Sequence, residues 1–458
     1  MSRSVILALL CAVTVFLVAC QRDALTGENT LNLYSYEDEK KMGDEAVQPI
    51  LAELGGLYPD QGTQDYVNNL GQKIVAAGRT RLRGEAKFPD WEFRFYVVNT
   101  SMINAFALPG GHVFVTRGIM MNIKDESELA GLLGHEVAHV FARHSAERMS
   151  EVTLMIIPVA LLAGVDESGG AAAVGMVAIQ LLAMKYGRDD ETESDHHGMR
   201  FAVRAGYHPS GIVRVMEMLE RYTNEHGGPG PEFLSTHPNP GNRVEYLNNQ
   251  IEKEYPGDNS TSVYNQPQYE GGIADMKRAQ PAYDLADQGD AAMGAGIEAE
   301  GKGDSNGAQA NYRKALGLYQ QAVSREPKHS ILHVNVCQAQ FYLRDFEAAE
   351  TSARNALRLD GAGFWPNFMG GLVAAKRNDN NALVHRMENA LRLVPDSPVG
   401  MYYLAMGFDR QGQSGNAIGY YRKAYEAFGG EGELAQAARQ RLIDLGQPDP
   451  KPKEKQPR

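Results

Sequence analysis

One stretch, Leu129–Ser145 with the sequence LAGLLGHEVAHVFARHS, constrains this chain more than any other, because it reads as a helix that carries two histidines on one face. Apolar residues at Leu129, Leu132, Leu133, Val137, Val140 and Phe141 recur at helical spacing, and Asp125 with Glu128 forms a capping-box pattern at the start. At about 3.6 residues per turn, His135 and His139 lie one turn apart and can reach one ion, with Glu136 about a quarter-turn round. This is the HExxH pattern, in which two histidines bind Zn²⁺ and the glutamate is general base toward water. The alternative, two core histidines on an amphipathic helix, is weakened by what surrounds the motif.

The chain has 458 residues, 43% apolar and 22% charged, which predicts two or three globular domains. Arg3 precedes an apolar run from Val5 to Val18 that is shorter than the ~20 residues needed to cross a bilayer, so residues 1–19 read as a secretory signal. The run ends Leu17-Val18-Ala19-Cys20, which resembles a bacterial lipobox with Cys20 as the lipidated first residue. Gln21 follows, rather than an aspartate that would retain the protein at the inner membrane. Cys11 leaves with the signal and Cys20 is occupied by lipid, so Cys337 stands alone as a small buried residue and no intrachain disulfide forms. The net charge of −12, one unit more negative without Arg3, argues against nucleic acid as a partner.

After a polar tether at 20–35, Tyr36–Ile50 and Thr63–Ala77 have helical patterns. Trp91–Val98 alternates as a strand, and His112–Thr116 reads as a second. Between them Asn104–Gly111 ends in a Pro-Gly-Gly turn. Thr153–Val165 and Ala171–Met184 are apolar segments, each too short to span a membrane and together suited to a helical hairpin over the core. Asp189–Ala205 predicts a helix with Glu191 and Asp195 on one face and Glu193 turned away. Thr236-His237-Pro238 follows the breaker-rich Gly227–Pro231, with Arg243 six residues after the histidine. Residues 256–290 are taken as a linker, from the polar, aperiodic composition of Pro256–Gly272.

Beyond the linker a period appears. Ala322, Ala356, Ala390 and Ala424 are 34 apart, preceded by seven residues by Ala315, Ala349, Leu383 and Ala417 and followed by five by Pro327, Gly361, Pro395 and Gly429. Those are the marks of tetratricopeptide repeats, stacked helix pairs with a concave groove, here at 291–446. The Gly-rich stretch Gly294–Gly307 is expected to supply the first helix of the first repeat. The tail 447–458 is Pro- and Lys-rich and predicted disordered.

Asn104–Gly111, Glu128–His144, Glu191–Asp195 and Thr236-His237-Pro238 with Arg243 together resemble the M48 zinc metallopeptidases. With the lipobox-like start and the repeats, the chain resembles the periplasmic group of β-barrel assembly-enhancing proteases. The family pattern has alanine where this chain has Ser194. The resemblance implies an α+β, mostly helical zincin-like domain with a small sheet at 36–255, followed by the all-α repeat solenoid. It implies one Zn²⁺ per chain held by His135, His139 and Glu191, with Asp195 orienting a ligand histidine and Glu136 moving protons. His237 is implied as a fourth ligand that holds the enzyme latent. Asn104, Ala105 and Phe106, on an exposed sheet edge, and Arg243 are expected at the substrate. His144, His196 and His197 are read as structural or surface residues.

The function so implied is a bacterial envelope endopeptidase that degrades unfolded or misassembled proteins. Its repeats dock clients or outer-membrane assembly machinery, and lipidated Cys20 anchors it to the periplasmic face of the outer membrane. The rival is a chaperone-like assembly factor that acts through its repeats and has a vestigial metal site.

Overall fold

The computed structural model describes residues 20–82, 88–163, 185–226, 230–238, 240–256 and 262–450. The expected signal, the apolar segment Ala171–Met184, part of the breaker stretch (227–229) and the last eight residues of the tail lie outside them. The described residues divide into two units: those within 20–47, 60–163 and 185–276 form the first, and 48–59 and 277–450 the second.

The first unit opens with a hairpin, β1 (Cys20–Arg22) antiparallel to β2 (Asn29–Leu31), where a tether was expected. Asp23 causes it: its Oδ1 accepts from the amides of Leu25 and Thr26, and Gly27 takes a positive φ of 76° to close the turn. Helices α1 (Tyr36–Glu53) and α2 (Gln61–Arg79) follow, the latter capped by Asp60 at the amide of Thr63.

Strands β3 (Arg94–Val98), β4 (Ala105–Leu108) and β5 (His112–Thr116) form a sheet in the order β3-β5-β4, with β3 parallel and β4 antiparallel to β5. The expected first strand is shorter than Trp91–Val98. Tyr96, Phe114 and Phe106 stack across the three strands with centroid spacings of 4.7 and 4.8 Å. The outer edge of β3 is closed by side chains of α2. Gln64 donates to the carbonyl of Val97 and accepts from its amide, both at 2.9 Å, and Gln72 donates to the carbonyl of Phe93. That leaves β4 as the other edge. Its residues are at most 7% exposed, so the edge is covered on both faces rather than exposed as expected.

Helix α3 (Arg117–Asn122) leads to α4 (Glu126–Ala142), the metal-motif helix, which is buried along its whole length. Asp125 caps it through the amides of Ser127 and Glu128, while Glu128 reaches back to the amide of Lys124 rather than to Asp125. The helix stops three residues earlier than its pattern suggests, because Arg143 adopts φ 62°. Arg143 is fixed there by ion pairing with buried Glu39, by the carbonyl of Tyr34 and by the ring of Tyr36, 4.1 Å from its guanidinium. The chain then turns into α5 (His144–Ala163). Among the described residues no helix is long and apolar enough to cross a membrane.

Helices α6 (Arg188–Arg204) and α7 (Gly211–His226) pack on α4, the short α8 (Phe233–Thr236) follows, and α9 (Pro240–Glu254) packs on α7 and α6. The supposed linker is largely structured. Val263 bridges Tyr207, and α10 (Gln266–Gly272) buries Tyr269, whose hydroxyl donates to the carbonyl of Met120. Single aromatic anchors on a polar segment carry no periodicity, which is why composition misreads it.

Besides residues 48–59, the second unit consists of helices that start with α11 (Ala274–Gly301), a 28-residue helix that also occupies expected linker and whose first three residues belong to the first unit. It pairs with α12 (Ser305–Arg325), and three helix pairs follow: α13 (Ser330–Tyr342) with α14 (Phe346–Leu359), α15 (Phe364–Lys376) with α16 (Asn380–Leu393), and α17 (Pro398–Arg410) with α18 (Ser414–Ala427). Helix α19 (Glu433–Asp444) closes the array. Ala322, Ala356, Ala390 and Ala424 are all 0% exposed, so the repeated alanines mark where helices approach most closely. The turns repeat too: Arg344, Asn378 and Gly412 take positive φ, and Asp345 and Asp379 cap the next helix through the amides of Ala348 and Ala382. The first pair departs from this register. Helix α12 starts after Gly303 and Asp304 and is 21 residues long against 14 for its equivalents. Tyr312 and Tyr319 from it pack on Gly296 and Gly289 of α11. Cys337 is buried, and burial pushes its thiol up to about 12.

Candidate metal centre

Two helices create the centre by touching backbone to backbone. A Cβ on Gly134 of α4 would lie 2.5 Å from the carbonyl oxygen of Gly198 on α6, and one on Gly198 would lie 2.5 Å from the amide nitrogen of His135. This approach brings one face of each helix together, and with it His135 and His139 from α4 and Glu191 and Asp195 from α6. His237, just past α8, completes the group, held by its backbone N–H donating to the carbonyl of Phe233 and by stacking on the Phe233 ring at 4.3 Å.

One donor atom each from His135, His139, Glu191 and His237 lies within 4.8 Å of the others, and all four residues are buried. The Nε2 atoms of His135 and His139 are 3.0 Å apart, Glu191 carboxylate oxygens lie 3.6 and 3.5 Å from them, and His237 Nδ1 is 2.8 Å from Glu191 Oε1. Imidazole nitrogens and a carboxylate converging in this way suit a borderline-soft divalent ion such as zinc. Two further observations fit a cation. Both carboxylate oxygens of Glu136, 0% exposed, lack a hydrogen-bond partner among the described residues, as does His237 Nε2. Among the described residues, buried Glu191 and Asp195 share one guanidinium, that of Arg243, and Glu136 has no ion pair with it.

The titration directions follow from this. Burial raises the Glu136 carboxyl against the pull of His237 and His135. Burial also opposes ionisation of Glu191, but His237 and Arg243 outweigh it and hold Glu191 well below the usual carboxylate range. His139 is held well below its ordinary value, chiefly by burial. His237 is raised, because the charges of Glu191 and Glu136 overcome its burial.

Around the donors sits a second layer. Asp195 Oδ1 lies 3.0 Å from His135 Nδ1, and Arg243 grips Asp195 through Nε and Nη2 at 2.7 and 2.6 Å. A third arm, Nη1, is 2.5 Å from Glu191 Oε2. Arg243 was expected at the substrate, but it is 5% exposed and committed to these carboxylates. Asn104, Ala105 and Phe106 lie on or beside β4, which packs against α4, and Asn104 Oδ1 is buried without a hydrogen-bond partner among the described residues. Cys20 opens β1. His196 is half-buried and engages Glu254, away from the centre.

One residue beside the donors went unrecognised in the sequence, and a second, His144, was expected only as a structural residue. Tyr186 stacks on His139 at 4.0 Å, and its amide donates to the carbonyl of Thr236. No spacing rule could have found it. His144 places Nδ1 2.8 Å from His139 Nδ1. On an unbroken helix it would face elsewhere, and the left-handed Arg143 turns it back.

The chain matches the model of Peptidase family M48 at residues 70–251. It is 30% identical over 244 residues to the β-barrel assembly-enhancing protease of Yersinia pestis, covering 50% of this chain and 47% of that protein. To the mitochondrial metalloendopeptidase OMA1 of Schizosaccharomyces pombe it is 29% identical over 225 residues, covering 49% and 64%. The same-named protein of Saccharomyces cerevisiae is 30% identical over 235 residues, with 49% and 64% covered. The chain thus spans about half to under two-thirds of the length of these relatives.

The helix contact gives a direct prediction. Gly198→Ala should push α4 and α6 apart and lower stability by about 1–3 kcal/mol, the range for overpacking a tight contact, as read by thermal unfolding. A melting curve equal to that of the unaltered chain would show that the crossing has slack.

Proposed function

We propose, from residues 70–251 that belong to peptidase family M48, that this chain is a zinc-dependent endopeptidase of the bacterial envelope acting on unfolded or misassembled proteins. The observation that carries the proposal is the convergence of His135, His139 and Glu191 beside a buried, unpartnered Glu136. In this reading those three residues hold one Zn²⁺ per chain. When bound, such an ion supplies Lewis acidity, polarising a carbonyl and acidifying water.

The protein groups do the rest. Glu136 takes the proton of the attacking water on a carboxylate oxygen and later delivers it to the leaving amine nitrogen, and burial raises its affinity for that proton in transit. Asp195 accepts from Nδ1–H of His135, which leaves Nε2 free to ligate, and Arg243 fixes Asp195 and Glu191. In this reading an extended substrate pairs with the β4 edge near Asn104, Ala105 and Phe106 once that buried edge is uncovered, because backbone pairing tolerates many side chains. The amide of Thr116 bonds the carbonyl of Asn104, so by alternation Ala105 and Ala107 turn their polar groups away from β5 and toward such a strand.

Glu136→Gln should cut casein hydrolysis by at least about 10²- to 10⁴-fold while leaving zinc content unchanged, and a chelator should abolish hydrolysis by the unaltered protein. If the variant instead supports the envelope as fully as the unaltered chain, the protein is a chaperone-like assembly factor working through its repeats.

His237 Nδ1 sits 3.3 Å from His135 Nε2, near enough to serve as a fourth ligand. A fourth protein ligand excludes water, so His237 keeps the enzyme latent until a client draws its loop away. His237→Ala should retain zinc and degrade unfolded protein faster and less selectively. A slower variant with full zinc would mean that His237 stabilises the developing oxyanion instead.

The repeats serve as the docking surface for clients or outer-membrane assembly machinery, which are also what the names of the bacterial relatives point toward. Cys20, with its lipobox-like context, anchors the chain to the periplasmic face of the outer membrane. Cys20→Ser should then lose membrane fractionation, and a variant that still fractionates with membranes would remove the anchor.

A further inference from the structure

We infer that Tyr186 is a positioning residue that holds His237 at the donor group, so that the fourth ligand leaves only when this ring gives way. The inference rests on the latency reading above and names the contact that sets it. Tyr186 is 8% exposed and stands beside both histidines, with ring centroids 4.0 Å from His139 and 5.1 Å from His237. Its hydroxyl lies 3.0 Å from Ser145 Oγ, the partner that a buried phenol needs, and this fixes the far end of the ring. Its backbone N–H donates to the carbonyl of Thr236, the residue before His237. The ring and the amide of one residue therefore grip the same short stretch.

The two histidines depend on this grip unequally. His139 belongs to α4, whose glycine contact with α6 already sets its place. His237 instead follows a four-residue helix, and outside the donor group its described ring neighbours are Phe233, at 4.3 Å, and Tyr186. Phe233 lies on the same stretch and would move with His237, whereas Tyr186 is rooted at the start of α6. Next to it the N–H of Gly187 donates to Asp190 Oδ2 at 2.7 Å, and Arg148 Nη2 holds that oxygen at 3.0 Å. A Cβ on Gly187 would lie 2.2 Å from Arg148 Nη2, so the turn that carries Tyr186 is tightly packed. Tyr186 is the fixed post, and the stretch of His237 is the part that moves.

The test is a double-mutant cycle on the full chain, read as casein hydrolysis with zinc content measured alongside. Tyr186→Leu should keep its zinc and raise the rate about 2- to 12-fold, the strength of one aromatic contact. In a His237→Ala background the same substitution should change the rate by less than about twofold, because nothing is left to hold. Tyr186→Phe keeps the ring and should stay within about twofold of the unaltered chain. Tyr186→Met, unbranched and without a ring, replaces the leucine variant with the same expectations should that variant not fold. An equal effect in both backgrounds, no effect, or a slower variant would overturn the role assigned to Tyr186. If His237→Ala is faster than the unaltered chain and Tyr186→Leu is not, only that role falls. If His237→Ala is not faster, the latency reading fails and the role of Tyr186 fails with it.

Discussion

The close crossing of α4 and α6 at Gly134 and Gly198 is the contact on which the rest of the centre depends. Ligand atoms on two helices can surround one ion only if the helix axes are near enough for short side chains to meet, and any Cβ at the crossing would enlarge that spacing. A second glycine contact works from another side of α4, where a Cβ on Gly131 would lie 2.6 Å from the amide nitrogen of Ile212 and one on Gly211 would lie 2.0 Å from the carbonyl oxygen of Ser127. Helix α4 is therefore clamped by α6 and α7 with backbone rather than side chains as the spacer. Rotamers can give way under load, and backbone contacts cannot, so the positions of His135 and His139 are set by the least compliant parts of the fold.

Such a clamp makes burial of charge unavoidable. Glu136, Glu191, Asp195 and Arg243 have at most 5% of their surface exposed, and isolated charges there would be strongly destabilising. Arg243 meets this by spanning two carboxylates with three arms, a geometry that a planar guanidinium supplies and an ammonium does not. Glu136 is the exception, since among the described residues no donor hydrogen-bonds to either oxygen. Removing Arg243 would therefore disturb the centre more by leaving Asp195 and Glu191 unpaired than by deleting any contact to a ligand.

How much of this could be read beforehand depended on whether the information was periodic. The HExxH helix, the Glu191 and Asp195 face and the 34-residue spacing of Ala322, Ala356, Ala390 and Ala424 all express regular geometry, and regular geometry survives in sequence. What escaped was set by single tertiary events. Asp23 turns an apparent tether into a hairpin, and Tyr269 ties an apparent linker onto the first unit. The φ of Arg143, fixed by Glu39 more than a hundred positions away, decides where His144 points. Arg243 was noticed for its place after His237 but assigned outward, because sequence does not say which way a long side chain folds.

The seven extra residues of α12 bear on how the helical array ends. Seven residues make nearly two full turns, a rotational slip of only about 20°, so the insertion lengthens the helix without turning its packed face away from α11. Two turns add about 10 Å of rise. The first pair consequently stands taller than the pairs behind it, and its extra length lies along α11, itself 28 residues against 13 for its equivalents, as where the Tyr312 hydroxyl reaches Glu300. A pair of the regular height laid against α11 would therefore leave part of its length uncovered, so this end of the array differs in height from the repeats that follow it.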